Sequence, residues 1–170
     1  MASLMEELVL VLNDEAAVYE TLTQISSEKT QYIIDGNISK MQDATAKEQD
    51  LVNVVNKLER KREDVVKDIG IVLGRDMDGL TINSIVQMLG RQPSEQKKLS
   101  EVHFRLKEAL EAMNKVNELN KVLLKQAMEL LEFDIQLMQS LKKAPETANY
   151  NKNAYNTGEV LPNSGFDAKQ

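Results

Sequence analysis

Residues 94–143 read SEQKKLSEVHFRLKEALEAMNKVNELNKVLLKQAMELLEFDIQLMQSLKK, fifty consecutive positions without a Gly or a Pro. Nothing in this run interrupts a helix. Pro93 precedes it at a first-turn position, Glu95 complements the positive N-terminal end of the helix dipole, and Lys142 and Lys143 complement the C-terminal end. At about 1.5 Å per residue such a rod is about 75 Å long. Its apolar stripe begins as Leu99, Val102, Leu106, Ala109, Met113, Val116 and Asn120, a single seam stepping by three and four. The stripe then doubles: Leu123 and Leu124, Ala127 and Met128, Leu130 and Leu131, then Ile135, Leu137, Met138 and Leu141. One partner helix covers one seam; the second needs a further helix or a foreign chain. Left bare, it is an apolar patch of the kind that marks an interaction site.

The rest of the chain is punctuated as sharply. Asp35-Gly36-Asn37 is a turn signal, residues 38–69 contain no Gly or Pro, and Gly70, Gly74, Gly79, Gly90 and Pro93 crowd the middle. The pattern predicts helices over about 2–34 and 38–73, joined by a reversal too short for anything but an antiparallel hairpin. The first has the stripe Leu4, Leu8, Val11, Glu15, Val18, Leu22, Ile25, Lys29, Tyr32, and the second Leu51, Val55, Leu58, Arg62, Val65, Ile69, Val72. Thr81 caps a short helix over 82–89 that buries Ile82, Ile85, Val86 and Leu89, with Gly90 as a left-handed stop. The fold class expected is all-α: an elongated antiparallel bundle of three long helices, with a short connecting helix and a flexible C-terminal tail. One helical domain covers residues 1–143. The hairpin helices come to about 50–55 Å, so the last helix outruns them. Residues 144–170, rich in Asn and without helical period, form a tail that buries too little to offset its ordering entropy.

Composition excludes several classes. The chain has 170 residues, net charge −6, no Cys and one His. Disulfides, thiolate metal sites and Cys nucleophiles are ruled out. The acidic balance argues against nucleic acid or an anionic membrane surface as partner. No run of apolar residues approaches the length of a membrane span, and the N-terminus lacks a basic signal region. The location expected is cytoplasmic, with no membrane insertion.

No catalytic motif is present: there is no phosphate-binding Gly-rich loop, no His-Glu-x-x-His and no Gly-x-Ser-x-Gly. The chain is therefore read as no enzyme, with no cofactor and no metal. His103 flanks the buried stripe and reads as an ordinary packing or surface histidine. Glu132 and Asp134 lack the Glu-x-x-His element of helical-bundle metal sites. Glu15, Lys29, Arg62, Asn120 and Asp134 interrupt the apolar stripes, and polar groups in such seams fix register. Arg62 needs a carboxylate from another helix, and Glu15 and Asp134 are the candidates. Met113, Met128 and Met138 read most simply as core or seam residues, and Met128 and Met138 on the doubled seam equally suit an adaptable contact with a partner chain.

Asn117-Glu118-Leu119-Asn120-Lys121-Val122-Leu123-Leu124, late in the third long helix, resembles the FlgN family of flagellar type III export chaperones. Leu58-Glu59-Arg60-Lys61-Arg62 is similar to that family's Leu-Glu-x-x-Arg segment, Tyr155-Asn156-Thr157-Gly158 to the Tyr and Gly after its last helix, and Phe166-Asp167-Ala168-Lys169-Gln170 to the ending of Gram-positive relatives. The resemblance covers most of the chain. It implies a cytosolic chaperone, without a nucleotide cycle, for hook-associated proteins 1 and 3, which join hook to filament. Such a chaperone holds a helical terminal segment of its client, prevents early assembly and delivers the client to the export gate protein FlhA. A client helix would lie on Leu123, Leu124, Met128, Leu131, Ile135 and Met138, completing a bundle. The gate contact would be the tail around Tyr155 and Gly158.

A structural coiled-coil scaffold is the alternative, its free seam paired with a second copy in a symmetric homodimer. Against a helical sensory domain with a small ligand between helices stand the low aromatic content, 4%, and the lack of converging polar groups.

Overall fold

The computed structural model describes residues 2–74 and 80–143, and the helices are those the breakers predict. Helix α1 spans Ala2–Ile34, α2 Ile38–Leu73, α3 Ile82–Met88 and α4 Pro93–Lys143, with a 3-10 turn at Leu89–Arg91 between the last two. There is no strand among the described residues. The predicted tail, with Tyr155 and Gly158, lies outside them. Two compact units divide the chain, Met1–Glu129 and Leu130–Gln170, and α4 runs from the first into the second.

Local chemistry explains each boundary. Gly36 takes φ 65°, a left-handed conformation cheap only without a Cβ, and reverses the chain after α1. The Asn37 side chain then accepts the Lys40 amide at 3.1 Å, capping α2. Gly74, at φ 63°, closes α2 as a left-handed C-cap. Thr81 and Ser84 exchange side chain-to-backbone bonds of 3.1 and 2.9 Å, a capping box that starts the seven-residue α3. Gly90 differs from expectation. It is not in the left-handed region but continues the chain in the 3-10 turn, and α3 ends one residue early.

In the first unit the polar contacts fix the helix directions. Glu15, Tyr19 and Lys29 of α1 meet Arg62, Glu59 and Glu48 of α2, a falling series that makes the hairpin antiparallel, and Glu7 meets Lys61 beside its start. Arg105 of α4 reaches Asn13 and Glu20, and Asn120 reaches Ser26 and Thr30, so α1 and α4 run parallel. Helix α1 is thus the central element, and it buries two faces. Besides Leu8, Val11, Glu15 and Leu22 of the expected stripe, it buries Met5, Leu12, Ala16, Ser26 and Ile33.

The main core joins Met5, Leu8, Leu12 and Ala16 to Val65 and Ile69, Ile85 and Leu89, and Leu99, Val102 and Leu106. It lies where the start of α1, the end of α2 and the start of α4 meet, closed by α3. Val72, expected in the stripe of α2, is exposed; Gly70 is buried and Leu73 packs against the core instead. An α-helix drifts relative to a 3.5-residue repeat, and by its last turn the buried face has moved one position on.

Away from this core, toward the hairpin tip, the interior includes a polar layer among buried apolar side chains such as Ile33 and Ala44. Ser26 is fully buried and its hydroxyl donates to Glu48 Oε1 at 2.7 Å, while Lys29 Nζ reaches Glu48 Oε2 at 2.8 Å. Asn120 Nδ2 donates to the Ser26 carbonyl at 2.8 Å, and the Thr30 hydroxyl donates to Asn120 Oδ1. One layer thus ties three helices together through directional bonds, which fix alignment where apolar contacts do not. Asn120→Ala strips Thr30 of this acceptor and leaves a void, and is expected to cost about 1–3 kcal/mol in urea unfolding. An unchanged midpoint and slope would show that the layer contributes nothing.

Candidate functional site

The hairpin is shorter than α4. Thr30 and Ser26 sit level with Asn120, and α1 ends four residues beyond Thr30, at Ile34. At equal rise the hairpin is spent near Leu124. Burial along α4 follows: Leu99, Val102, Leu106, Ala109 and Asn120 are buried, Met113, Val116, Leu123 and Ala127 are partly buried, and every side chain from 130 to 143 is exposed. Leu123, of the expected client surface, is thus half covered. Leu124, Met128, Leu131, Ile135 and Met138 are exposed, the last four by more than half (68, 61, 54 and 66%).

These residues share a face because of their spacing. Leu124, Met128, Leu131, Ile135 and Met138 step by four and three, as do Leu123, Ala127, Leu130, Asp134, Leu137 and Leu141 beside them. The second row continues the seam that upstream lies buried in the bundle. Phe133, 60% exposed, stands off the first row and was not singled out by periodicity. Neighbouring exposed apolar side chains of this kind mark a candidate interaction surface.

The polar positions in the stripes fall into different settings. Arg62 Nε comes within 3.4 Å of Glu15 Oε1, so of its two candidate partners it has Glu15. The contact is an ion pair without the alignment of a hydrogen bond, and Glu15 Oε1 accepts none. Glu15 is buried, and burial pushes its carboxyl above the ordinary carboxylate range; Arg62 opposes that and Glu59 adds to it. Tyr19 donates toward Glu59 at 3.4 Å, and burial followed by the charge of Glu59 raises its phenol. His103 is half-buried on α4, and burial, with Lys107 and Arg62 nearby, holds its imidazole below the usual range. Asp134 is exposed, and among the described residues it has no ion-pair partner.

A cavity of about 190 Å³ between α3 and the hairpin is lined by Met5, Ile69, Leu73, Ile85, Met88 and Leu89, with Arg91 and Gln92 at its side. It is packing space between apolar faces. Among the described residues, no three acidic or His side chains gather to hold a metal ion, and no helix is long and apolar enough to cross a membrane.

A helical bundle whose last helix carries a double apolar seam is the class of fold this geometry defines. The sequence comparisons place it more narrowly. The family model described as FlgN protein matches residues 1–158, and the chain belongs to the FlgN family, a family of flagellar export chaperones. It is similar to the protein YvyG of Bacillus subtilis (strain 168), described as uncharacterized, with 25% identity over 156 residues, 89% of this chain and 90% of the relative. No solved structure matches it.

Proposed function

We propose that this chain is a cytosolic chaperone for hook-associated proteins 1 and 3, that it holds a terminal helix of the client on the late part of α4, and that it delivers the client to the export gate protein FlhA. The observation that carries the reading is the exposure of Leu124, Met128, Leu131, Ile135 and Met138 on one helix face. An assembly helix is masked when its apolar stripe is buried, and that needs a complementary stripe rather than catalysis. No covalent step and no nucleotide are involved, so release follows from reversible binding. Glu15, Arg62 and Asn120 hold the three helices in register and stay clear of the client.

Sedimentation of the free protein, and of its mixture with purified hook-associated protein 1 or 3, tests the reading. A stable complex with either client is expected. A tight dimer of the chain that binds neither would overturn it in favour of a self-associating scaffold.

The gate contact is assigned to the tail around Tyr155 and Gly158. Truncation after Lys143 is expected to weaken binding to the soluble part of FlhA about tenfold or more, while the thermal midpoint moves by a degree or less, since the packed core lies within residues 5–106. Equal FlhA binding by both forms removes the tail from the gate contact.

A further inference from the structure

The seam of α4 holds thirteen positions from Leu99 to Leu141 at alternating steps of three and four, and only Asn120 and Asp134 among them are polar. They lie fourteen residues apart, so they occupy the same position of a seven-residue repeat, two repeats apart. At Asn120 the helix opposite supplies what the polar group requires: the Thr30 hydroxyl and the Ser26 carbonyl. At Asp134, in the stretch from 130 to 143 where every side chain is exposed, the carboxylate stands between Leu130, Leu137 and Leu141 on one row and Leu131, Ile135 and Met138 on the next.

We infer that Asp134 selects the bound helix and sets its register: the client helix carries a Lys or Arg inside its own apolar stripe, level with Asp134. The inference rests on the proposed chaperone reading and sharpens it. A helix laid on the two rows covers Asp134, and a covered carboxylate is costly unless a cation or a set of donors meets it. A wholly apolar helix is penalised there, and so is one shifted by a turn, which converts a sticky surface into a selective one. The required cation is not available from a second copy using the same rows, because between Asn120 and Leu141 neither row contains Lys or Arg. The occupant that fits is therefore a foreign amphipathic helix with a basic residue in its seam.

Asp134→Lys tests this by calorimetry with purified hook-associated proteins 1 and 3, beside Leu131→Asp. The substituted side chain is exposed, so circular dichroism and the melting midpoint should match the parent. Affinity is expected to fall about tenfold or more, and to be restored by changing one Lys or Arg of the client's terminal helices to Glu. Affinity within twofold of the parent, when Leu131→Asp abolishes binding, overturns the selection by Asp134 and leaves the client surface standing. If Leu131→Asp is also without effect, the surface and the inference on it fall together. A loss that disappears when residues 144–170 are removed would assign the cation to the chain's own tail, and self-association that weakens in parallel with client binding would assign the seam to a second copy; either result overturns the proposal.

Discussion

Leu131→Asp is expected to eliminate binding of the hook-associated proteins, by roughly a hundredfold or more, while helicity and melting temperature stay at the parent's values. Leu131 is 61% exposed in the free protein, so its removal takes nothing from the bundle core. In the proposed complex the same position lies mid-row, with Met128 before it and Ile135 after it. A carboxylate there is desolvated opposite an apolar client stripe with no designed partner, a change worth about 3–5 kcal/mol when a buried charge is left uncompensated. At 1.4 kcal/mol per factor of ten that is at least about two decades in Kd. Calorimetry with each client reads the loss, and circular dichroism checks the fold. Unaltered affinity would mean that the client docks elsewhere.

Arg62→Leu is expected to destabilise the protein by about 2–3 kcal/mol near neutral pH, with a deficit that shrinks as the solution is acidified. Breaking a buried pair from one side costs about 3–5 kcal/mol, discounted here because Arg62 keeps part of its surface in water and its contact with Glu15 is 3.4 Å long. Glu15 is left buried without its cation. Burial already holds the Glu15 carboxyl above the ordinary carboxylate range, and Arg62 is what opposes the rise. Without Arg62 it rises further. The folded state then binds a proton that the unfolded state does not, over the interval from 4.5 up to the raised value, so stability falls as pH rises through that interval. Urea unfolding at pH 5 and pH 8 reads the sign: the variant should lie closer to the parent at pH 5. The double variant Glu15→Leu with Arg62→Leu should recover most of the loss. Additive damage in the double variant would show that the two side chains do not act as a pair.

The helix boundaries were legible because the breakers are few and placed where the backbone needs them. Gly36 and Gly74 adopt positive φ, and Asn37 and Thr81 are caps by side chain-to-backbone bonds. Gly90 was misleading, since a Gly after an apolar run also suits a 3-10 turn. The second face of α1 was not legible. Its members include Ala16 and the fully buried Ser26, and small or polar side chains do not register in an apolar count. Met5, Leu12 and Ile33 fall beside the stripe rather than on it, which is the mark of a helix between two neighbours. The two rows of late α4 were legible, because long apolar side chains there are out of proportion to the helices available, but Phe133 beside them was not, since it stands off both rows. That Arg62 would meet Glu15 and not Asp134 needed the register of α1 against α2, which no spacing within one helix contains.

Helix α4 starts in a packed core and ends outside one, and this changes how its last turns come to be ordered. A free peptide of the length of residues 130–143 would rarely be helical in water, because its first turn fixes several residues for a single hydrogen bond. Within α4 that nucleus already exists upstream, next to Leu99 and Val102, and each further residue only propagates it. On the proposed reading, an arriving client segment would meet a template that is already wound, and only the client would have its coil-to-helix entropy left to lose.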